Sequence, residues 1–256
     1  MRFCVYAQWA KARHFTEAVI AGFPGRVRDI KPGNLAKDCI HVIGGLQFGA
    51  LELMKEIRAN GEQYVFFDRA YFGGGSYTDR IRMTMNGYQK HWIDAPRTGR
   101  LLKWGVEIAP WNDDGDFVMV VPPSQAVQSL FGIHGWLEKT LESLRGCVRR
   151  IVVSPKDDRQ KSPLRERLKG CHAVLTWTSN VAVEAILDGV PAFVSPYSAA
   201  RPVAGNLEHL NLDEPVRTAR EKWAESLGWG QFTIEEIASG FAREHLLQSW
   251  RPDVPA

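Results

Sequence analysis

The stretch "CHAVLTWTSNVAVEAILDGVPAFVS", residues 171–195, decides the fold. Its opening run, "CHAVLTW" (171–177), is apolar and too short for a free-standing helix, which suits a strand buried on both faces. "NVAVEAILDG" (180–189) then reads as a helix, and after Gly-Val-Pro the run "PAFVS" (191–195) reads as a second strand. Strand, helix and strand in this order make the repeating unit of a parallel sheet. Between the first strand and the helix stands a polar cluster, Thr-Ser-Asn.

Moving toward the amino terminus, the same alternation continues. "FVMVVPPS" (117–124) is a strand running into a Pro-Pro turn, and "QAVQSLFGIHGWLEKTLESLRG" (125–146) is helical in part. "VRRIVVSPKDD" (148–158) is a strand, and "SPLRERLKG" (162–170) a short helix with Pro163 in its first turn and Gly170 at its end. These elements predict a doubly wound α/β domain that begins at the turn-like "DDGD" of 113–116. Before it, "FCVYAQW" (3–9), "VRDI" (27–30), "CIHVIGG" (39–45) and "QYVFFD" (63–68) read as strands. Helical stripes at 14–23 and 46–61 separate them, the second closed by Gly61. That pattern predicts a parallel sheet covered on both faces. The segment 69–116 is rich in Gly, aromatic, Arg and Asn residues and reads as loops with short irregular strands, where function tends to sit. Near the end, Thr233 and Glu236 have the spacing of a capping box and open a final helix. The expected architecture is two Rossmann-like, doubly wound α/β domains, 1–113 and 114–227. Residues 228–256 are expected as a terminal helix packing back on the amino-terminal domain.

With 256 residues, 45% of them hydrophobic, the chain can bury one or two substantial cores. A net charge of +3 is mildly basic, compatible with phosphorylated ligands or nucleic acid but far from a polycation. Cys4, Cys39, Cys147 and Cys171 form no CxxC and no metal-ligand spacing with His, so they read as reduced thiols of a cytoplasmic protein. The start "MRFCVYAQWAKAR" lacks the apolar segment and cleavage site of a signal peptide. No later run approaches the roughly 18 apolar residues of a spanning helix, so no membrane partner is expected.

Open parallel sheets take ligands outside the carboxyl ends of their strands. Thr176, Thr178, Ser179 and Asn180 occupy such a place, where unpaired helical N–H groups and small hydroxyls suit a phosphate. A plain helix cap uses the same residue types. Ser154 and Lys156 follow the preceding strand, and the lysine's flexible cation suits a diphosphate, although it also reads as a solvated surface residue. Glu184 shares a helix face with Asn180, placed to accept hydrogen bonds from ribose or sugar hydroxyls; the alternative is a surface carboxylate.

The segment 148–196, "SPKDD…SPLRERLKGCHAVLTWTSNVAVEAILDGVPAFVSP", resembles the carboxyl-terminal half of GT-B glycosyltransferases of the capsule-polysaccharide, sialyl- and Kdo-transferase-like group. The resemblance implies two domains facing a cleft and a nucleotide-sugar donor used as substrate, with no further cofactor. It further implies that Lys156, Thr178 and Ser179 bind the donor's phosphate and that Glu184 contacts its nucleotide or sugar. Ser154-Pro155-Lys156 stands where the family often has His-Pro, which leaves the nucleotide open. Residues 62–90 and "GQFTIEEIASG" also resemble uncharacterised bacteriophage proteins associated with modified-DNA synthesis. This second resemblance implies a hydroxymethylated pyrimidine in DNA as acceptor, approached by Arg69, Tyr71, Arg80 and Arg82. A solvated face with ordinary core aromatics would contain the same residues.

For the acceptor's proton, Asp68 ends the apolar strand "YVFFD" just before the glycines of 73–75, and His14 follows the first strand. Asp68 could instead anchor the loop through Arg69 or backbone N–H groups. No DxD motif follows a strand, and "DDGD" reads as an interdomain loop, so a metal-independent transfer with no metal ligands is expected. A capsular or cell-surface glycan acceptor is the first alternative to DNA. A non-catalytic nucleotide- or nucleic-acid-binding protein is the second.

Overall fold

A computed structural model describes residues 2–6, 13–72, 79–94, 96–113, 115–154 and 163–249, the side chains of residues 13 and 14 excepted. The chain forms two compact units, Met1–Lys90 with Trp229–Ala256, and His91–Gly228.

The first unit opens with β1 (Phe3–Tyr6), α1 (Arg13–Gly22), β2 (Gly25–Arg28), β3 (Ile40–Gly44), α2 (Ala50–Ala59), β4 (Tyr64–Arg69) and β5 (Arg80–Met85). β2, β1, β3 and β4 lie side by side and parallel. β5 pairs antiparallel with β4, so the sheet is mixed where the sequence suggested an all-parallel one. Direction reverses here because only residues 70–79 separate β4 from β5, and a parallel pair needs a crossover of a dozen residues or more, usually helical. α2 begins at Ala50 and not at 46, since Phe48 and Gly49 hold φ of 54° and 85°, outside the helical region.

β1 and β3 form the buried centre of the sheet. On one face Phe3, Val5, Val42, Val65 and Phe67 pack against Phe15, Val19 and Phe23 of α1 and the turn after it. Each such side chain contributes about 1.5–3 kcal/mol of hydrophobic stabilisation. On the other face the Tyr6 hydroxyl meets His41 Nδ1 at 3.0 Å, with the two rings stacked 5.8 Å apart. Burial pushes the Tyr6 hydroxyl up to about 12 and holds the His41 imidazole below its ordinary 6.5.

The second unit contains α3 (Arg100–Lys103), β6 (Phe117–Val121), α4 (Gln125–Phe131), α5 (Trp136–Ser143), β7 (Arg150–Val153), α6 (Leu164–Arg167), β8 (Cys171–Thr176), α7 (Val181–Leu187), β9 (Ala192–Val194), β10 (Gly205–Asn206) and α8 (Glu221–Gly228). Its strands run in the order β10-β9-β8-β6-β7 and all pairs are parallel. The helical stretch of 125–146 is broken into α4 and α5 at Gly132 and Gly135, whose φ values are 67° and 71°. Residues 91–113, assigned from sequence to the amino-terminal side of the boundary, belong to this unit. They are tied to α8: the Arg100 and Leu101 N–H groups donate to the Glu225 carboxylate at 2.6 and 3.3 Å. Arg100 Nε and Trp104 Nε1 both donate to the Gly228 carbonyl.

The chain then returns to the first unit through β11 (Gln231–Thr233), α9 (Ile234–Ala238) and α10 (Phe241–Ser249). β11 pairs antiparallel with β5 and completes the order β11-β5-β4-β3-β1-β2. Thr233 and Glu236 form the capping box, Oγ1 accepting from the Glu236 N–H at 3.2 Å and the Glu236 carboxylate accepting from the Thr233 N–H at 3.1 Å. The final helix is two helices, separated at Gly240 with φ of 83°. Among the described residues no helix is long and apolar enough to cross a membrane.

Gly189, in the Gly-Val-Pro that follows α7, has φ of 85°, and a Cβ there would run into the carbonyl of Pro110. Its own carbonyl accepts from the Asn112 N–H at 2.8 Å, so the 109–112 segment crosses directly over it. Gly189→Ala is expected to lower stability by about 2 kcal/mol or more, read by urea denaturation. His41 supplies a second expectation. With its folded-state affinity for protons depressed, the unfolded chain protonates first, so stability is fully present above 6.5 and is lost as pH falls below it. The urea midpoint should drop on mild acidification, and the drop should be smaller in His41→Asn.

Candidate functional site

In the second unit the chain turns from β6 to β7 on one side of the sheet, while β8 lies on the other side of β6. The carboxyl ends of β6 and β8 therefore flank the switch point where such sheets take ligands. Thr176 Oγ1 donates to the Val121 carbonyl at 2.8 Å and joins the two ends. The next residues form the turn into α7. Ser195 Oγ donates to the Trp177 carbonyl at 2.7 Å and fixes the turn from β9.

Thr178 is buried, and Ser179 and Asn180 are half-buried. Ser179 does the capping: its Oγ accepts from the Val181 N–H at 3.3 Å and its carbonyl from the Ala182 N–H at 3.0 Å. Asn180 is already helical, with φ −59° and ψ −13°, and makes no side-chain cap bond. In α7 every residue is buried except Glu184. Asn180, Glu184 and Asp188 thus form one half-exposed stripe at i, i+4 spacing on an otherwise covered helix. Ser154, just past β7, is buried, with its N–H donating to the Val120 carbonyl at 2.8 Å. Arg167 Nη2 donates to Ser154 Oγ. Lys156 lies outside the described residues.

In the first unit, strand register puts Asp68 of β4 opposite Arg82 of β5, on the same face of the sheet. Arg82 Nη2 lies 3.4 Å from Asp68 Oδ2, and Asp68 Oδ1 accepts from the Arg69 N–H at 2.8 Å. The Arg82 guanidinium is enclosed by rings, with centroids of Tyr88, Tyr71 and Phe66 at 5.2, 5.5 and 6.0 Å. Burial works against its charge, but the Asp68 carboxylate opposes burial and leaves the guanidinium above its ordinary value. Burial pushes the Tyr88 hydroxyl up to about 12, against the pull of Arg82, and raises that of Tyr71. Tyr71 is fixed at both ends: its hydroxyl accepts from the Lys90 N–H at 2.7 Å, and its N–H donates to Gln231 Oε1 at 3.0 Å.

The residues expected at the acceptor do not form one surface. Tyr71 and Arg82 are buried, so neither offers an exposed contact to a duplex. Arg80 shares Arg82's face but makes a two-bond contact with Asp79, through Nε at 3.0 Å and Nη2 at 2.7 Å. Arg69 alternates to the opposite face and is exposed. The backbone of His14 is in α1, and its side chain lies outside the described residues. Tyr88, one of the aromatic residues interleaved with the acceptor-side cations in the sequence, covers Arg82. Two residues unforeseen in the sequence belong to these sites: Gln231 reaches Tyr71 from 160 residues away, and Arg167 meets Ser154. Only Arg167 left a sequence trace, as one of several cations in the short "LRER" helix.

No protein-family model matches the chain, and no curated protein matches it by sequence. Solved structures do. Thermosulfurimonas dismutans KpsC, beta Kdo 2,4 transferase, is similar over 93% of this chain and 98% of that chain, with a TM-score of 0.52 and 10% identity. Thermosulfurimonas dismutans KpsC, beta Kdo 2,7 transferase, is similar over 95% and 99%, with a TM-score of 0.48 and 12% identity. Each unit is Rossmann-like, and the fold is that of a GT-B-like glycosyltransferase.

The Asp68–Arg82 pair yields a direct test of the first unit's architecture. Asp68→Asn should cost about 2 kcal/mol by removing the carboxylate from a buried guanidinium. Adding Arg82→Met should recover part of that loss, because the buried charge goes with its partner. Urea denaturation of the two single variants and the double variant reads the coupling, and strictly additive losses would show that the two side chains do not act as a pair.

Proposed function

We propose that this protein is a glycosyltransferase that moves a sugar from a nucleotide-sugar donor to a hydroxyl acceptor without a metal ion. The observation that carries this reading is the fold: two Rossmann-like units similar over nearly the whole length of the KpsC beta Kdo 2,4 transferase structure. Donor binding falls to the second unit, at the β6 and β8 switch point. There Ser154, Thr178, Ser179 and Asn180 meet the phosphate with Lys156, and Glu184 meets ribose or sugar hydroxyls. In the transfer, the acceptor oxygen bonds to the anomeric carbon as the bond from that carbon to the donor's phosphate oxygen breaks. The electron pair leaves on the phosphate, where hydroxyl donors and cations stabilise it.

Asp68 takes the acceptor's proton. Its carboxylate stands near the end of β4 and is oriented by the Arg69 N–H and Arg82. Its engagement by both donors also suits an anchor, so the base assignment stands or falls on turnover. A glycan acceptor is favoured over DNA, because the burial of Arg82 and Tyr71 takes away half of the basic, aromatic surface that the duplex reading required.

A thermal-shift panel of nucleoside phosphates and nucleotide sugars, CMP-Kdo among them, tests the reading. At least one should raise the unfolding midpoint, because a ligand that binds only the folded state stabilises it by mass action. No shift with any member would overturn the donor site. With the best donor, Asp68→Asn should lower turnover about 100-fold or more while the donor's shift persists. Near-normal turnover would remove Asp68 from the mechanism. Transfer to oligosaccharide but not to hydroxymethylated DNA is expected, and activity should survive chelation of divalent metals.

A further inference from the structure

We infer that Arg167 is a phosphate-binding residue of the donor site, presented to the ligand by the buried hydroxyl of Ser154. This rests on the donor site proposed above and assigns it a cation outside the segment in which the sequence placed one.

Three observations lead to it. The first is position. Ser154 is the residue immediately past β7, and its N–H donates to the Val120 carbonyl of β6. It therefore stands at the carboxyl edge of the sheet beside β6, one of the two strands that flank the switch point. The second is anchoring. Ser154 is 4% exposed, so the hydroxyl that receives Arg167 Nη2 is a fixed, buried point and not a mobile surface group. A long side chain held at its tip by such a partner loses less freedom on binding a ligand than an unanchored lysine would.

The third observation is what remains of the guanidinium. It carries five N–H donors, of which one goes to Ser154. Among the described residues no carboxylate pairs with Arg167, whereas Arg165, two residues earlier on the same helix, pairs with Asp188 at 3.5 Å. Arg167 is half-buried, which shields its charge less from an incoming anion than full solvation would. A planar fork with donors to spare, at the edge of a parallel sheet, matches two oxygens of one phosphate. Ser154, buried at the rim of the donor site, is then also the post that aims the fork.

The experiment compares wild type, Arg167→Ala and Arg167→Lys by calorimetry with three probes: inorganic pyrophosphate, the best nucleoside phosphate from the thermal-shift panel, and the matching uncharged nucleoside. Arg167→Ala is expected to weaken pyrophosphate and the nucleoside phosphate about tenfold or more and to leave the nucleoside unchanged. Arg167→Lys should fall between, keeping the charge and losing the fork. Equal weakening of nucleoside and nucleoside phosphate would assign Arg167 a merely structural role and overturn the inference, as would unchanged affinity for every probe. Wild type that binds pyrophosphate but no nucleotide would remove the nucleotide-sugar reading alone, with the Arg167→Ala comparison for pyrophosphate still deciding this one. Wild type that binds none of the probes would overturn both.

Discussion

The hydrogen bond from Thr176 Oγ1 to the Val121 carbonyl joins two strand ends whose chains then part company. From Val121 the path leads through α4 and α5 to β7 on one flank of the sheet, and from Thr176 it leads through α7 to β9 on the other. Because the connections diverge, neither folds over the gap between the strands, and the residues that follow each strand line its rim. Trp177 and Thr178 owe their positions to this divergence. The backbone there is held by strand pairing and by Ser195, so the groups of this turn are fixed in place.

The first unit handles its polar residues differently. Its corresponding edge includes a buried guanidinium, enclosed by three rings and opposed by one carboxylate. Taking such a charge out of water is costly, and it is tolerated where the partner is fixed by strand register. That makes Arg82 a specifying element: only one alignment of β4 with β5 brings it to Asp68, and a slip by one residue would turn it to the opposite face. Tyr71 extends the same network to Gln231 on β11, so the antiparallel addition to the sheet is locked by polar contacts as well as by Ile81, Met83 and Phe232.

β6 and β8 were readable because each is buried on both faces and so shows as an apolar run, 117–121 and 171–176. The Ser-Asn turn was readable for a related reason: polar residues between two buried elements need an explanation. Helix interruptions at Gly132 and Gly240 were missed, since an isolated glycine in a helical pattern signals a break only when its φ is known. The sequence boundary near 113 failed because the contacts that bind 91–113 to α8 join residues more than a hundred positions apart. The same blindness applied to Arg82: a basic residue in an aromatic-rich stretch reads as surface until register shows the carboxylate beside it.

The first unit is discontinuous in sequence. β11, α9 and α10 come from the last part of the chain, yet Phe232, Ile237 and Leu246 lie in the same core as Phe3 and Phe15. During synthesis the amino-terminal strands emerge with one face of their sheet lacking part of its cover, and they must wait while the whole of 91–228 is made. The second unit has all its strands within a continuous stretch and is free to fold first. The ribosome thus completes the second unit before the first, and β1 to β5 are sealed only after it.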